Sequence, residues 1–124
     1  MSIGRRSWAI AEGYIPGWSN GPEPALTSHE TARILNSGAE DAHIDITVFF
    51  VEREPAGRYR VTVPARRTHH VRFNELRDPE PIPEATDYAS VFESDVPVIV
   101  QHTRLDSRQS ENALMTTVAF AGDS

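Results

Sequence analysis

Hydrophobic and polar residues alternate along much of this chain with the period of two that is typical of β-strands. In the segment Ala42–Val51 every second residue is apolar, and His43 and Asp45 lie among the residues between. Tyr59–Val63 repeats the pattern, and the intervening segment Glu54–Gly57 has the composition of a turn. The two alternating segments are therefore predicted to form an antiparallel hairpin.

Six further segments have the β-branched, aromatic or alternating composition of strands. They are Ser7–Ala11, Glu30–Leu35, Thr68–Phe73, Ala89–Glu93, Val96–Thr103 and Leu114–Phe120. No segment carries a sustained helical period, and nine prolines and seven glycines interrupt the chain. This pattern predicts one all-β domain over residues 1–124, an antiparallel β-sandwich of about eight strands that is jelly-roll-like.

The predicted strand that begins at Val96 runs without a turn into a polar segment. If that strand continues, then Val98, Val100, His102 and Arg104 share one face, which changes from apolar to charged partway along. A buried cation is costly unless it is paired. The face therefore either leaves the core at an open end of the sandwich or lines a pocket that holds a partner.

Two other predicted strands carry carboxylates beside apolar faces. Alternation places Trp8 and Glu12 on one face, and an aromatic ring near a carboxylate is typical of sites for hydroxylated ligands. Glu30 stands at one end of another apolar face, where it either pairs with Arg104 or holds a ligand. A core position for Trp8 and a salt bridge for Glu12 are the structural alternatives. The hypothesis is a ligand-binding pocket made of Trp8, Glu12, Glu30, His102 and Arg104.

A polar stripe follows the second strand of the predicted hairpin. Four of its side chains are candidates for a subunit interface, because arginine is enriched at such contacts: Arg66, Arg67, His70 and Arg72. A solvated surface and an anion site are the alternatives.

Composition and charge narrow the classes of function. The net charge is −6 and all twelve basic residues are arginine, which disfavours nucleic-acid binding except through local arginine patches. Without cysteine there is no disulfide or thiol nucleophile. The five histidines form no His-x-His pair and Ser107 has no glycine-flanked elbow, so neither a metal, a cofactor nor an enzyme is expected. No signal-peptide pattern or apolar run of ~20 residues is present, and we expect a soluble, cytoplasmic protein.

Several longer motifs carry a family resemblance. They are Trp8–Pro16, Gly21–Pro24, His29–Thr31, Ile34–Asn36, Val63–Thr68, His70–Asn74, Gln101–Gln109 and Glu111–Leu114. In order and spacing they resemble the sensory rhodopsin transducer family over nearly the whole chain. The resemblance implies a small antiparallel β-sandwich that assembles as a homotetramer and meets the cytoplasmic side of a seven-helix retinal photoreceptor. It also implies a likeness to carbohydrate-binding sandwiches, and it supplies no catalytic residues.

Two functions remain open from the sequence. The first is a non-enzymatic signal transducer or adaptor that couples a microbial sensory rhodopsin to downstream targets. The alternative is a binding module, unrelated to photoreception, for a small hydroxylated (carbohydrate-like) or anionic metabolite.

Overall fold

The computed structural model describes residues 3–19, 28–106, 108 and 113–122. The strands are β1 (Arg5–Tyr14), β2 (His29–Asn36), β3 (Ala42–Phe50), β4 (Ala56–Val63), β5 (Arg67–Arg72), β6 (Asp87–Asp106), β7 (Ala113–Val118) and β8 (Phe120–Ala121). Within those ranges the helical structure is one 3-10 turn, Phe73–Glu75. No described helix has the length and hydropathy of a membrane span. The predicted all-β class with eight antiparallel strands is confirmed.

The strand β6 is the centre of the fold. Its first half, 87–94, pairs with β3 and β1 in a ladder of order β4-β3-β6-β1-β8. Its second half, 99–106, pairs with β2 and β7, and β5 completes that ladder beyond β2. Pro97 lies between the two halves, and proline has no N–H to give to a ladder. One strand therefore joins both layers into a continuous eight-stranded sheet.

Two predicted segments differ from the observed strands. Ala89–Glu93 and Val96–Thr103 are parts of the single 20-residue strand β6, because the chain changes pairing partners near Pro97 without turning back. The predicted segment Leu114–Phe120 divides into β7 and β8 at Ala119, whose N–H donates to the carbonyl of Val100 at 3.1 Å. The predicted hairpin of β3 and β4 is confirmed.

The core lies between the two layers and follows the predicted alternation. Ile44 and Ile46 on β3 and Ile34 on β2 are at most 1% exposed. The ring of Phe73 meets the ring of Phe92 edge-on, with 6.3 Å between centroids. Burying each such side chain contributes about 1.5–3 kcal/mol. This shared core fixes the position of β6, and so of the polar residues at its end.

Near the middle of β6, Asp95 is bonded to β3. Its Oδ1 accepts the backbone N–H of His43 at 2.8 Å, and its Oδ2 lies 2.8 Å from His43 Nδ1. The backbone hydrogen bond is the main cause that lowers the pKa of Asp95 below its ordinary value. A carboxyl with a depressed pKa stabilises the fold above its unfolded pKa, and this contribution is lost as the pH falls through the folded value.

We therefore expect Asp95→Asn to flatten the fall in stability below about pH 4, the ordinary range of an aspartate. Thermal melts of wild type and variant from neutral to acidic pH measure the effect. Glu93→Gln, an exposed carboxylate of the same strand, is the matched control. Parallel pH profiles for Asp95→Asn and wild type would contradict the linkage.

Candidate functional site

Glu30 is the centre of a buried ion cluster at one end of the sandwich. Its side chain is 0% exposed. Oε2 accepts hydrogen bonds from Arg104 Nε at 2.6 Å and from the backbone N–H of Tyr14 at 2.9 Å. Oε1 accepts a hydrogen bond from His102 Nε2. A buried carboxylate requires such compensation, and three donors on two other strands supply it here.

The register of β2 on β6 explains why these residues meet. In this antiparallel pair Glu30 lies opposite Arg104, and Ala32 lies opposite His102. Residues directly opposite one another share a face, so the carboxylate reaches both basic side chains. The face predicted for this part of β6 is observed. Val98 and Val100 are fully buried, while the side chains of His102 and Arg104 are 12% and 21% exposed.

Glu12 joins the cluster from β1, but Trp8 does not. The pairing of β1 with β6 shifts between Ile10 and Gly13, which interrupts the alternation expected from the sequence. The side chain of Glu12 is consequently 80% exposed, and its Oε2 lies 3.7 Å from Arg104 Nη1. Trp8 is buried in the core, and its Nε1–H donates to the carbonyl of Val98 at 3.0 Å. The expectation that Trp8 and Glu12 share one face is therefore wrong, for the physical reason that a β-bulge adds a residue between them.

Two residues that the sequence did not single out support the cluster. Asn74, in the 3-10 turn, accepts the backbone N–H of Glu30 at 3.2 Å and donates to the carbonyl of Ser28 at 2.9 Å. Tyr88 is buried, and its hydroxyl has no hydrogen-bond partner among the described residues. Burial is the main cause that raises the pKa of Tyr88 far above its ordinary value, and the charge of Glu30 adds to it.

Gly13 makes the position of Tyr88 sterically feasible. A Cβ at residue 13 would lie 2.4 Å from Cε1 of the Tyr88 ring, which no real side chain tolerates. The glycine that follows Glu12 therefore has a packing role. The sequence carried no local signal for this role, because Gly13 and Tyr88 lie far apart in the chain and meet only in the fold.

A cleft of about 390 Å³ opens beside the cluster, between β1 and the last two strands. Its charged and basic lining residues are Glu12, His102 and Arg104. Most of the other lining side chains are apolar: Ala9, Ile10, Ala11, Met115, Val118, Ala119 and Phe120.

A second, smaller cavity of about 180 Å³ shares Glu12 and Arg104 with the cleft. It is otherwise lined by Tyr14, Pro16, Asp87, Asp106 and Arg108. Arg108 Nη2 donates to Asp106 Oδ2 at 2.7 Å, and this interaction is the main cause that lowers the pKa of Asp106. The pair of Glu12 and Arg104 thus stands between an apolar cleft and a charged cavity.

The residues predicted to form a subunit interface lie elsewhere, along β5 and the turn before it. Arg66, Arg67 and His70 are exposed and Arg72 is half-buried. In the described part of the chain β5 pairs with β2 alone, so β5 is an edge strand. Burial and the nearby guanidinium of Arg33 lower the pKa of His70. The position of these residues suits a contact surface, and the interface itself stays a prediction.

The described residues contain no group of three or more His, Asp or Glu side chains arranged to hold a metal. Each oxygen of Glu30 is already engaged, so this carboxylate is held as a structural anion. Arg104 Nη2 is buried and has no described partner. Such an orphaned donor usually receives a water molecule or a ligand atom.

Known proteins resemble this chain over most of its length. The chain matches the Anabaena sensory rhodopsin transducer family over residues 3–121. It is 63% identical to a solved structure of the Anabaena sensory rhodopsin transducer, with a TM-score of 0.75 and coverage of 83% of this chain and 100% of that one. It is 36% identical to the crystal structure of Thermotoga maritima 1070, with a TM-score of 0.84 and coverage of 97% of each chain. No curated protein matches the chain.

Proposed function

Because the chain belongs to the Anabaena sensory rhodopsin transducer family, we propose that it is a non-enzymatic signal transducer that couples a seven-helix retinal photoreceptor to downstream targets. The observation that carries the proposal is the 63% identity to the Anabaena transducer across the whole length of that structure. We propose further that it acts in the cytoplasm as a homotetramer.

The state of the polar cluster supports a role without catalysis. An acid–base catalyst needs a carboxylate or imidazole that can exchange a proton with a bound substrate. Glu30 is completely buried and holds three donors, and His102 is one of them. These groups hold the ends of β1, β2 and β6 together. A change in packing at one of these strand ends can therefore reach the others.

The connectivity of β6 offers a route for such a change. The cluster ties together the ends of β1, β2 and β6, and β6 then crosses from one layer of the sandwich into the other. A receptor that contacts exposed Glu12 would alter one partner of Arg104 directly. For a signal to result, the receptor must bind two subunit arrangements with different affinity. We place the responding subunit contact on the basic edge formed by Arg66, Arg67, His70 and Arg72.

The first test is oligomeric state. Light scattering at micromolar concentration is expected to give a mass four times that of the 13.8 kDa chain. The double variant Arg66→Glu/Arg67→Glu is expected to form a weaker assembly, because mismatched charge across an interface is costly. Its tetramer should already dissociate at concentrations at least about tenfold higher than those at which the wild-type tetramer dissociates. Arg6→Glu, at an exposed arginine of β1, is the matched control and is expected to leave the mass unchanged. A wild-type monomer, or a double variant that stays tetrameric, would remove the proposed assembly or its interface.

The second test concerns the receptor. Wild-type protein is expected to bind a sensory rhodopsin in lipid nanodiscs, with affinities that differ between dark and illuminated receptor. Equal affinity in both states would leave the protein unable to report light. No binding in either state would refute the photoreceptor role.

A further inference from the structure

The cleft between β1, β7 and β8 is lined by both apolar and charged side chains. Met115 is 59% exposed and Phe120 is 77% exposed, so large apolar side chains border an open cavity. Glu12, His102 and Arg104 line the same cleft, and Met115 lies directly opposite Arg104 in the pairing of β6 with β7. The volume of about 390 Å³ falls in the range of small-molecule sites, which are mostly apolar with a few polar groups. The occupant should therefore have an apolar body and one polar head.

The charged side chains around the cleft determine whether the polar head of the ligand should be a cation or an anion. Arg104 is neutralised from beneath by Glu30, at 2.6 Å, and Arg108 by Asp106, at 2.7 Å. Two carboxylates remain in the lining of the cleft and its adjoining cavity. Glu12 has only the longer contact of 3.7 Å with Arg104, and Asp87 has no ion pair among the described residues. The site therefore has an excess of negative charge, in a protein whose net charge is −6.

The hydroxyl groups of the cleft are few and partly engaged. Thr116 Oγ1 donates to the carbonyl of His102 at 3.0 Å and accepts from Gln101 Nε2 at 3.1 Å. A sugar needs several hydrogen-bonding groups around its ring, and the walls formed by Ala9, Ala11 and Val118 cannot provide them. An anion could accept a hydrogen bond from Arg104 Nη2, which has no described partner, but it would approach Glu12 and Asp87 against their charge, so we assign that donor to a water molecule. Both ligand classes expected from the sequence therefore fit this cleft poorly.

We propose that the cleft binds a small organic cation, with its ammonium head between Glu12 and Asp87 and an apolar body of about six carbons along β1, β7 and β8. This site goes beyond transduction and does not depend on the photoreceptor. The ammonium would compete with Arg104 for Glu12, which gives the ligand direct access to the ion cluster that joins β1 to β6.

The proposal is tested by titrating the full-length 15N-labelled protein in NMR spectra at about neutral pH, where a primary amine is an ammonium ion. The probes are n-hexylamine, 1-hexanol, sodium hexanoate and glucose at equal ionic strength. Saturable shifts are expected for n-hexylamine at amides of Ala9–Glu12 and Met115–Val118. Its dissociation constant should be lower than that of 1-hexanol by up to about fivefold, since a partly exposed ion pair adds up to ~1 kcal/mol. Hexanoate and glucose should cause no saturable shifts there.

Three variants locate the site. Glu12→Gln should reduce the preference for n-hexylamine over 1-hexanol, with only Asp87 left to pair with the ammonium, and its fold should be intact because the side chain is 80% exposed. Ala11→Phe, at an exposed lining position, should weaken both ligands by filling the cleft. Glu52→Gln, an exposed acid elsewhere, should behave as wild type. Hexanoate or glucose binding better than the amine, or amine shifts unaffected by Glu12→Gln, would overturn the proposal, while the receptor assay would stand independently.

Discussion

Replacing Glu30 with Ala is expected to lower the free energy of unfolding by about 3–5 kcal/mol, because removing one partner of a buried pair leaves uncompensated charge. The guanidinium of Arg104 would lose its contact of 2.6 Å, and the N–H of Tyr14 would lose its acceptor. His102 would lose its only described side-chain partner. Urea denaturation followed by circular dichroism measures the loss, with an unchanged spectrum in water confirming that the variant still folds.

A comparison with Glu12 separates buried pairing from charge alone. Glu12 contacts the same guanidinium but is 80% exposed, so Glu12→Ala is expected to change stability by no more than about 1 kcal/mol. Glu30→Gln, which keeps the size and acceptor oxygen but not the charge, should fall between the two. If Glu30→Ala were as stable as Glu12→Ala, the cluster would not be what holds the ends of β1, β2 and β6 together.

The period of two in the sequence was enough to predict much of this cluster. Glu30 was predicted at one end of an apolar face, and it lies at that end of β2, fully buried. The same alternation predicted that His102 and Arg104 lie on the same face of the strand as Val98, and the structure shows this arrangement. Such predictions succeed because side-chain direction along a regular strand depends on the local backbone alone.

The predictions that failed depend on tertiary contacts. Nothing in the run Trp8–Gly13 distinguishes a bulged strand from a regular one, so Glu12 was expected on the face of Trp8. Ala89–Glu93 and Val96–Thr103 were expected to be two separate strands, yet both belong to β6, which continues because different neighbours pair with each half. Tyr88 could not be assigned to the cluster, since its place depends on the gap that Gly13 leaves on a strand far away in sequence. Register between distant strands also had to be observed, because Glu30 and Arg104 are 74 residues apart.

The central position of β6 leads to a second large effect, at Phe92. This side chain is 0% exposed, pairs across strands with Trp8 and Ile46, and meets the ring of Phe73 edge-on. Phe92→Ala would leave a cavity that both layers border, and it is expected to cost about 3–5 kcal/mol of unfolding free energy. Urea denaturation against wild type measures this cost.

Phe49→Ala is the matched control for Phe92→Ala, since Phe49 lies on the adjacent strand β3 and is 41% exposed. We expect it to cost less than about 1.5 kcal/mol, because most of the transfer and cavity contribution is absent there. Equal losses in the two variants would mean that the core is not organised around β6. In that case a change at the polar end could not pass along this strand into the opposite layer, and the route proposed for signalling would have to lie elsewhere.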